Sequence, residues 1–238
     1  MGVAGRGGQA SCCKSLGVQM RALVVGASGG IGAALCAALA SRGEVVGVSR
    51  RHDGLDVTDE ASVARVLGAL EPGFDQVIVA TGALVLDGRG PEKSLRALDP
   101  AAMAAQFALN AMGPMLVLKH ALRLMPKDRV VRFAALSARV GSIGDNALGG
   151  WYSYRAAKAA LNQFLHTAAI EVARSHRQAI VVALHPGTVD TGLTAVQGAG
   201  HPAVPPAEAA INLLAVLDGL TPADTGGFFD WAGKRIPW

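Results

Sequence analysis

From Ala22 onward the chain alternates short apolar runs with longer stretches rich in alanine and leucine. The apolar runs fall at 22–26, 44–49, 76–80, 130–136 and 180–184, and a last short one at 226–231. Little polar alternation interrupts the first five, as expected of strands buried on both faces of a parallel sheet. Between the runs, 31–42, 60–70, 101–125, 153–175 and 205–217 predict helices. Asp59 is placed to cap the second of these, and Pro126 to end the third. This alternation predicts an α/β fold: a single doubly wound domain with a central parallel sheet and helices on both faces.

The segment before the first strand breaks the pattern. Residues 1–19 contain Gly5-Arg6-Gly7-Gly8 and lack the apolar central run of a signal peptide. They predict an N-terminal appendage outside the fold, with residues 20–238 as the domain. The composition, 51% hydrophobic, is ample for a large core. The net charge of +4 is not gathered into a basic stripe, which argues against nucleic-acid binding. Cys12, Cys13 and Cys36 form neither a disulfide framework nor a metal-ligand spacing, so a reduced, cytoplasmic setting is expected. Residues 101–118 carry no charge, which raises the question of a membrane span. Gln106, Asn110 and Gly113-Pro114 within that run favour a buried or interface helix instead.

The first strand runs into Gly26-Ala27-Ser28-Gly29-Gly30-Ile31-Gly32, followed by an apolar helix. A strand, a glycine-rich turn and a helix N-terminus make a pyrophosphate site, because the first turn exposes unpaired N–H groups and a partial positive charge. The plainer alternative is an ordinary glycine-rich turn. The second strand ends at Ser49-Arg50-Arg51, with no acid where dinucleotide folds that bind NAD often carry one. A guanidinium attracts a 2′-phosphate that a carboxylate would repel, so Ser49 and Arg50 point to NADP(H) on a Rossmann-like domain. A solvated basic turn is the alternative there.

Tyr154-Arg155-Ala156-Ala157-Lys158 carries the chemistry. Residues four apart share one helical face. A free tyrosine titrates near ~10, and a neighbouring lysine cation is expected to lower that value. Such a pair exchanges a proton with a carbonyl or alcohol oxygen while hydride moves at a nicotinamide. Tyr152 has alanine, Ala156, four residues on, and is set aside.

The spacing Gly26-x-x-x-Gly30-x-Gly32, together with Tyr154 and Lys158, resembles the short-chain dehydrogenase/reductase family over residues 20–238. Ser137–Ile143, Gly149–Tyr154 and the Gly226–Trp231 tail resemble its C-factor-like and carbonyl-reductase branch. The resemblance implies that Asp56 and Val57 contact the adenine, and that Ala80, Thr81 and Gly82 line the cofactor. It implies that Asn110 bends its helix and relays protons to Lys158, a buried structural asparagine being the alternative. It also implies that Pro186, Gly187, Thr188, Val189 and Thr191 hold the nicotinamide amide and phosphates. The family's substrate-polarising serine aligns with Ala138. Either Ser137, slightly favoured, or Ser142 takes its place, or the hydroxyl is missing. The expected activity is NADP(H)-dependent reduction of a small, apolar carbonyl, or the reverse oxidation of an alcohol, with a possible homodimer. A cofactor-binding regulatory protein with little turnover is the alternative. The charge-poor loop from Gly192 to Pro206 is expected to cover the substrate.

Overall fold

A computed structural model describes residues 19–191 and 203–238. The expected appendage therefore falls outside the described residues apart from Gln19, and so does most of the expected substrate loop.

Six strands form one sheet in the order β2-β1-β3-β4-β5-β6, and every neighbouring pair is parallel. They are β1 (Met20–Val25), β2 (Gly43–Val48), β3 (Gln76–Val79), β4 (Val131–Leu136), β5 (Ala179–His185) and β6 (Phe228–Asp230). Because β3 lies beside β1 rather than beside β2, the winding reverses between β1 and β3. Ligands in such sheets bind outside the carboxyl ends of the strands at that reversal.

The helices are α1 (Gly30–Leu39), the short α2 (Arg50–Asp53), α3 (Glu60–Gly68), α4 (Pro100–Phe107), α5 (Gly113–Ala121), α6 (Tyr152–Ser175) and α7 (Pro206–Gly219). The apolar strands serve two cores. Leu35 and Leu39 of α1 pack with Leu213, Leu214 and Leu217 of α7 against one face. Val63, Leu67, Val117, Leu161 and Leu165, from α3, α5 and α6, cover the other. Alternate strand residues serve opposite faces, so Phe133 and Ala135 belong to the second core, and Ala134 and Leu136 to the first. Asp59 caps α3, its carboxylate accepting from Ala61 N.

One expectation needs correcting. The helix expected over 101–125 is not continuous. A π-helical segment, Ala108–Met112, separates α4 from α5, and a 3₁₀ turn, Leu122–Leu124, ends the run. The cause lies in the side chains at the break. Asn110 is fully buried, donates to Ala83 O at 2.9 Å and to Gln106 Oε1 at 2.6 Å, and accepts from Ala83 N at 3.2 Å. A π-bulge of this kind is a common device for aiming a side chain at a site. By length and composition Pro100–Leu124 is apolar enough to cross a membrane. In the structure it packs along α6 and buries both Gln106 and Asn110 in hydrogen bonds.

Candidate active site

A cavity of about 610 Å³ opens at the carboxyl edge of the sheet. Its walls include Ile31, Ala80, Thr81, Gly82, Ser137, Tyr154, Lys158, Pro186, Gly187, Thr188, Val189 and Thr191, twelve of the residues expected from sequence. Gly26 to Gly32 form the turn at its β1 end, and Ser49 to Val57 lie beyond, after β2.

The turn works through its backbone. Gly26 has φ +95°, and a Cβ on Gly32 would stand 2.1 Å from Gly26 O. Only glycine permits that closure. It brings the N-terminus of α1 up to the crevice, where no side chain of the described residues caps the first turn. The uncapped N–H groups are free to receive an anion.

Beyond β2 the picture is mixed. Ser49 is buried and its hydroxyl caps α2, accepting from His52 N at 3.2 Å. Arg50 is exposed, and among the described residues no carboxylate forms an ion pair with it. Asp53, an acid given no weight in the sequence reading, lies one turn further on. Its carboxylate is held by Ser49 N at 2.7 Å. Asp56 accepts from Thr58 N and Oγ1 at 2.9 and 2.7 Å, and these bonds hold its carboxyl below the usual range. Val57 is buried against the place where a Cβ on Gly113 would fall.

At the other end stands α6. Trp151, at φ +53°, precedes its first turn and donates its N–H to Glu92 O at 2.6 Å. The Glu92 carboxylate accepts from Ser153 N and from Ser153 Oγ. These contacts fix the turn that carries Tyr154. Four residues on, Lys158 is buried and donates to Leu136 O at 2.9 Å, its Nζ 5.7 Å from the Tyr154 ring centre. Tyr154 and Lys158 therefore meet in the cavity. The expected lowering of the Tyr154 pKa does not occur in the protein by itself. Burial pushes the phenol up to about 12 and pulls the lysine down to about 7. Desolvation penalises both charged forms.

Gly82 explains how Asn110 joins them. A Cβ at Gly82 would fall 2.8 Å from Asn110 Oδ1 and 3.4 Å from Lys158 Nζ. The three groups converge behind the cavity wall. Both hydrogen-bonding ends of Asn110 are occupied by protein, as in the structural alternative.

The two candidate serines stand in different settings. The backbone stays extended through Ala138, with φ −145° and ψ 146°. Extended backbone turns successive side chains to alternate sides, yet Ser137 and Ala138 both contribute to the cavity wall. Ser137 reaches the cavity wall, but its hydroxyl donates to Asn162 Oδ1 at 2.7 Å. Ser142 is buried outside the lining, and its hydroxyl accepts from Asp145 N at 3.1 Å.

Sequence reasoning missed several residues here. Asn162 follows Lys158 by four, and Tyr154 by eight, on the same buried face of α6. A lone amide on that face was a readable signal. Arg139, Trp151, Arg155 and His185 also line the cavity. Burial drives His185 down to about 4, with Arg139 adding to the effect and Asp230 opposing it. Among the described residues its Nδ1 is buried without a hydrogen-bond partner, and so is Thr81 Oγ1.

Known proteins resemble this chain in sequence and fold. The family model for short chain dehydrogenases matches residues 20–201. The 1-hydroxy-2-glutathionyl-2-methyl-3-butene dehydrogenase of Rhodococcus sp. (strain AD45) is 33% identical over 236 residues, covering 91% of this chain and 98% of that one. The C-signal protein of Myxococcus xanthus is 35% identical over 141 residues, 59% of this chain and 81% of its own. A short-chain dehydrogenase/reductase from Burkholderia multivorans, crystallised with bound NADP, superposes with a TM-score of 0.79 at 27% identity, covering 92% of this chain and 100% of that one. The NADPH-bound carbonyl reductase from chicken fatty liver shares the fold, with a TM-score of 0.77 at 24% identity over 92% of this chain and 94% of its own. The chain belongs to the short-chain dehydrogenase family of oxidoreductases.

Proposed function

We propose that the protein is an NADP(H)-dependent carbonyl reductase, and that the meeting of Tyr154 with Lys158 inside the cavity carries this reading. The residues fit the cofactor. The uncapped start of α1 suits a pyrophosphate, Arg50 suits a 2′-phosphate, and Thr81 Oγ1 and His185 Nδ1 are polar atoms that lack partners among the described residues. The Burkholderia multivorans relative with bound NADP supports the choice of cofactor. When bound, the dinucleotide supplies or accepts the hydride.

The chain's own groups manage the proton. Tyr154, kept neutral by burial, donates its phenolic proton to the substrate oxygen in reduction. The Lys158 ammonium stabilises the phenolate that remains. Leu136 O fixes that ammonium, and Asn110 supports the wall behind it. Leu136, Val140 and Trp151 give the reacting end apolar walls, which favour displacement of water when substrate binds. The test is NADPH consumption against a panel of aldehydes and ketones, with NADH in parallel. Steady oxidation of NADPH is expected, and none with any carbonyl would overturn the reading.

One observation favours a second reading, a cofactor-binding regulatory protein with little turnover. Position 138 is alanine, and both nearby serine hydroxyls are engaged within the protein. Tight NADPH binding without turnover would favour it. The resemblance also implies a homodimer through the α4–α6 face. Phe107 and Phe164, each 37% exposed and in edge contact at 6.2 Å, stand on that face. A monomer mass at micromolar concentration would count against pairing.

A further inference from the structure

We infer that the substrate is an oxo acid, and that Arg155 binds its carboxylate while Tyr154 acts on its carbonyl; the inference rests on the reductase reading for the reacting end of the cavity. Arg155 directly follows Tyr154 on the first turn of α6 and lines the same cavity. Its Nε donates to Gly150 O at 3.0 Å, and its Nη1 to Val140 O at 3.3 Å. Both acceptors are neutral carbonyls. Nη2 has no hydrogen-bond acceptor among the described residues, and no carboxylate there forms an ion pair with the guanidinium. Residues 1–18 and 192–202 contain no Asp or Glu, so they have no carboxylate side chain to offer.

The cavity supplies its own contrast. Arg139 lines the same wall, and its guanidinium is balanced by Asp145 at 3.0 Å and Asp230 at 3.6 Å. Arg155 is half-buried and has no such balance. Its place in the helix makes this costlier still, because a cation in the first turn opposes the positive end of the helix dipole. Helix stability therefore gives no reason for an arginine here. The fork formed by its Nη atoms matches a carboxylate in geometry and charge. The cofactor's phosphates do not account for it. Their binding groups, the α1 N-terminus and Arg50, follow β1 and β2, whereas Arg155 stands beside Tyr154 at the β4 end. Val140, Leu148 and Trp151 line the wall nearby. They suit a short apolar chain between the carbonyl and the acid group.

The experiment uses the full chain with NADPH and a series of methyl-ketone acids, from levulinate upward in length. Each acid is compared with its methyl ester. Wild type should favour at least one acid by about tenfold or more in kcat/KM, the scale of a hydrogen bond to a charged group. Arg155→Gln should bring that ratio close to one, and Arg155→Lys should keep part of it. NADPH binding, followed by fluorescence, checks that each variant is folded. Equal use of acid and ester across the series, or a preference that survives Arg155→Gln, overturns the inference. Calorimetry of hexanoate and methyl hexanoate binding to the NADPH complex separates this failure from that of the reductase reading. If no ketone is reduced, yet hexanoate binds in wild type and not in Arg155→Gln, the anion site stands and the reductase reading falls. Hexanoate binding no tighter than its ester overturns the anion site whatever the turnover.

Discussion

The two ends of the cavity are built by different means. At the β1 end, Gly26 to Gly32 shape the site through backbone alone: positive φ, a close approach of one turn to the next, and bare N–H groups. At the β4 end, residues 137–158 shape it through side chains whose direction depends on where the strand stops. Glycine spacing reports a backbone geometry directly, because other residues cannot adopt it. A serine in the sequence reports nothing about which way its hydroxyl turns. The first end therefore binds by construction, and the second depends on a few hydrogen bonds that substitution can redirect.

The sharpest way to separate the two ends is Tyr154→Phe. It removes the proton donor at the β4 end and leaves the ring in place. Turnover is expected to fall by about 10²–10⁴-fold, the usual worth of a positioned acid or base. NADPH affinity, set at the other end, should change little. Stopped assays and fluorescence titration on the same preparation measure both. Residual turnover near wild type would remove Tyr154 from the mechanism.

Arg50→Asp attacks the opposite end. Arg50 is exposed after β2 and is the expected partner of a 2′-phosphate. Losing a charge-assisted contact and adding a repulsion should raise the Kd for NADPH about tenfold or more. The Kd for NADH should move far less. Equal shifts for both cofactors would mean that Arg50 does not meet the phosphate, and that Asp53 close by deserves the next substitution.

How much could be read beforehand follows the same division. The sheet was legible because buried parallel strands leave unbroken Val, Ile and Leu runs, such as 180–184. The glycine turn was legible for the reason given above. Tyr154 and Lys158 were legible because a helix fixes residues four apart on one face. The break at Ala108–Met112 left no trace in the hydrophobic pattern, since alanine, leucine and methionine continue across it; it was legible through the family resemblance, which gave Asn110 as the residue that bends its helix. The turning of Ser137 was not legible, because it depends on Asn162, which lies 25 residues away in the chain.

Lys158 links the two ends through pH. Burial lowers its pKa to about 7, so the ammonium is intact below that value and lost above it. The kcat/KM for carbonyl reduction is expected to decline as pH rises through about 7, since that parameter reports the free enzyme. Stability should move in the opposite direction. The unfolded lysine keeps its proton up to 10.5, so between about 7 and 10.5 the unfolded chain binds more protons than the folded one. Stability attributable to this group therefore rises with pH across that window. Denaturant melts of wild type and Lys158→Met between pH 7 and 9 measure it, and parallel curves for the two would show that Lys158 does not titrate there.

The smallest expected effect on turnover concerns Ser137. Its single hydroxyl proton is given to Asn162 Oδ1, and Asn162 Nδ2 in turn reaches Gly141 O at 3.4 Å. To hold a substrate oxygen, Ser137 would have to turn its proton away from a buried acceptor. One hydrogen bond would then be exchanged for another, and the acceptor left behind would be unpaired. The net gain to the transition state is small, so Ser137→Ala should lower kcat by less than about tenfold, below the 10²–10³ of a dedicated donor. The same substitution strands the Asn162 carbonyl in the interior, which costs about 1–3 kcal/mol of stability. A lowered Tm with nearly normal turnover is the expected outcome, and Asn162→Ala should lower Tm in the same way. A hundredfold loss of kcat with an unchanged Tm would show that Ser137 leaves Asn162 during the reaction and serves the substrate after all. The β4 end would then be built, like the β1 end, around a group aimed at its ligand.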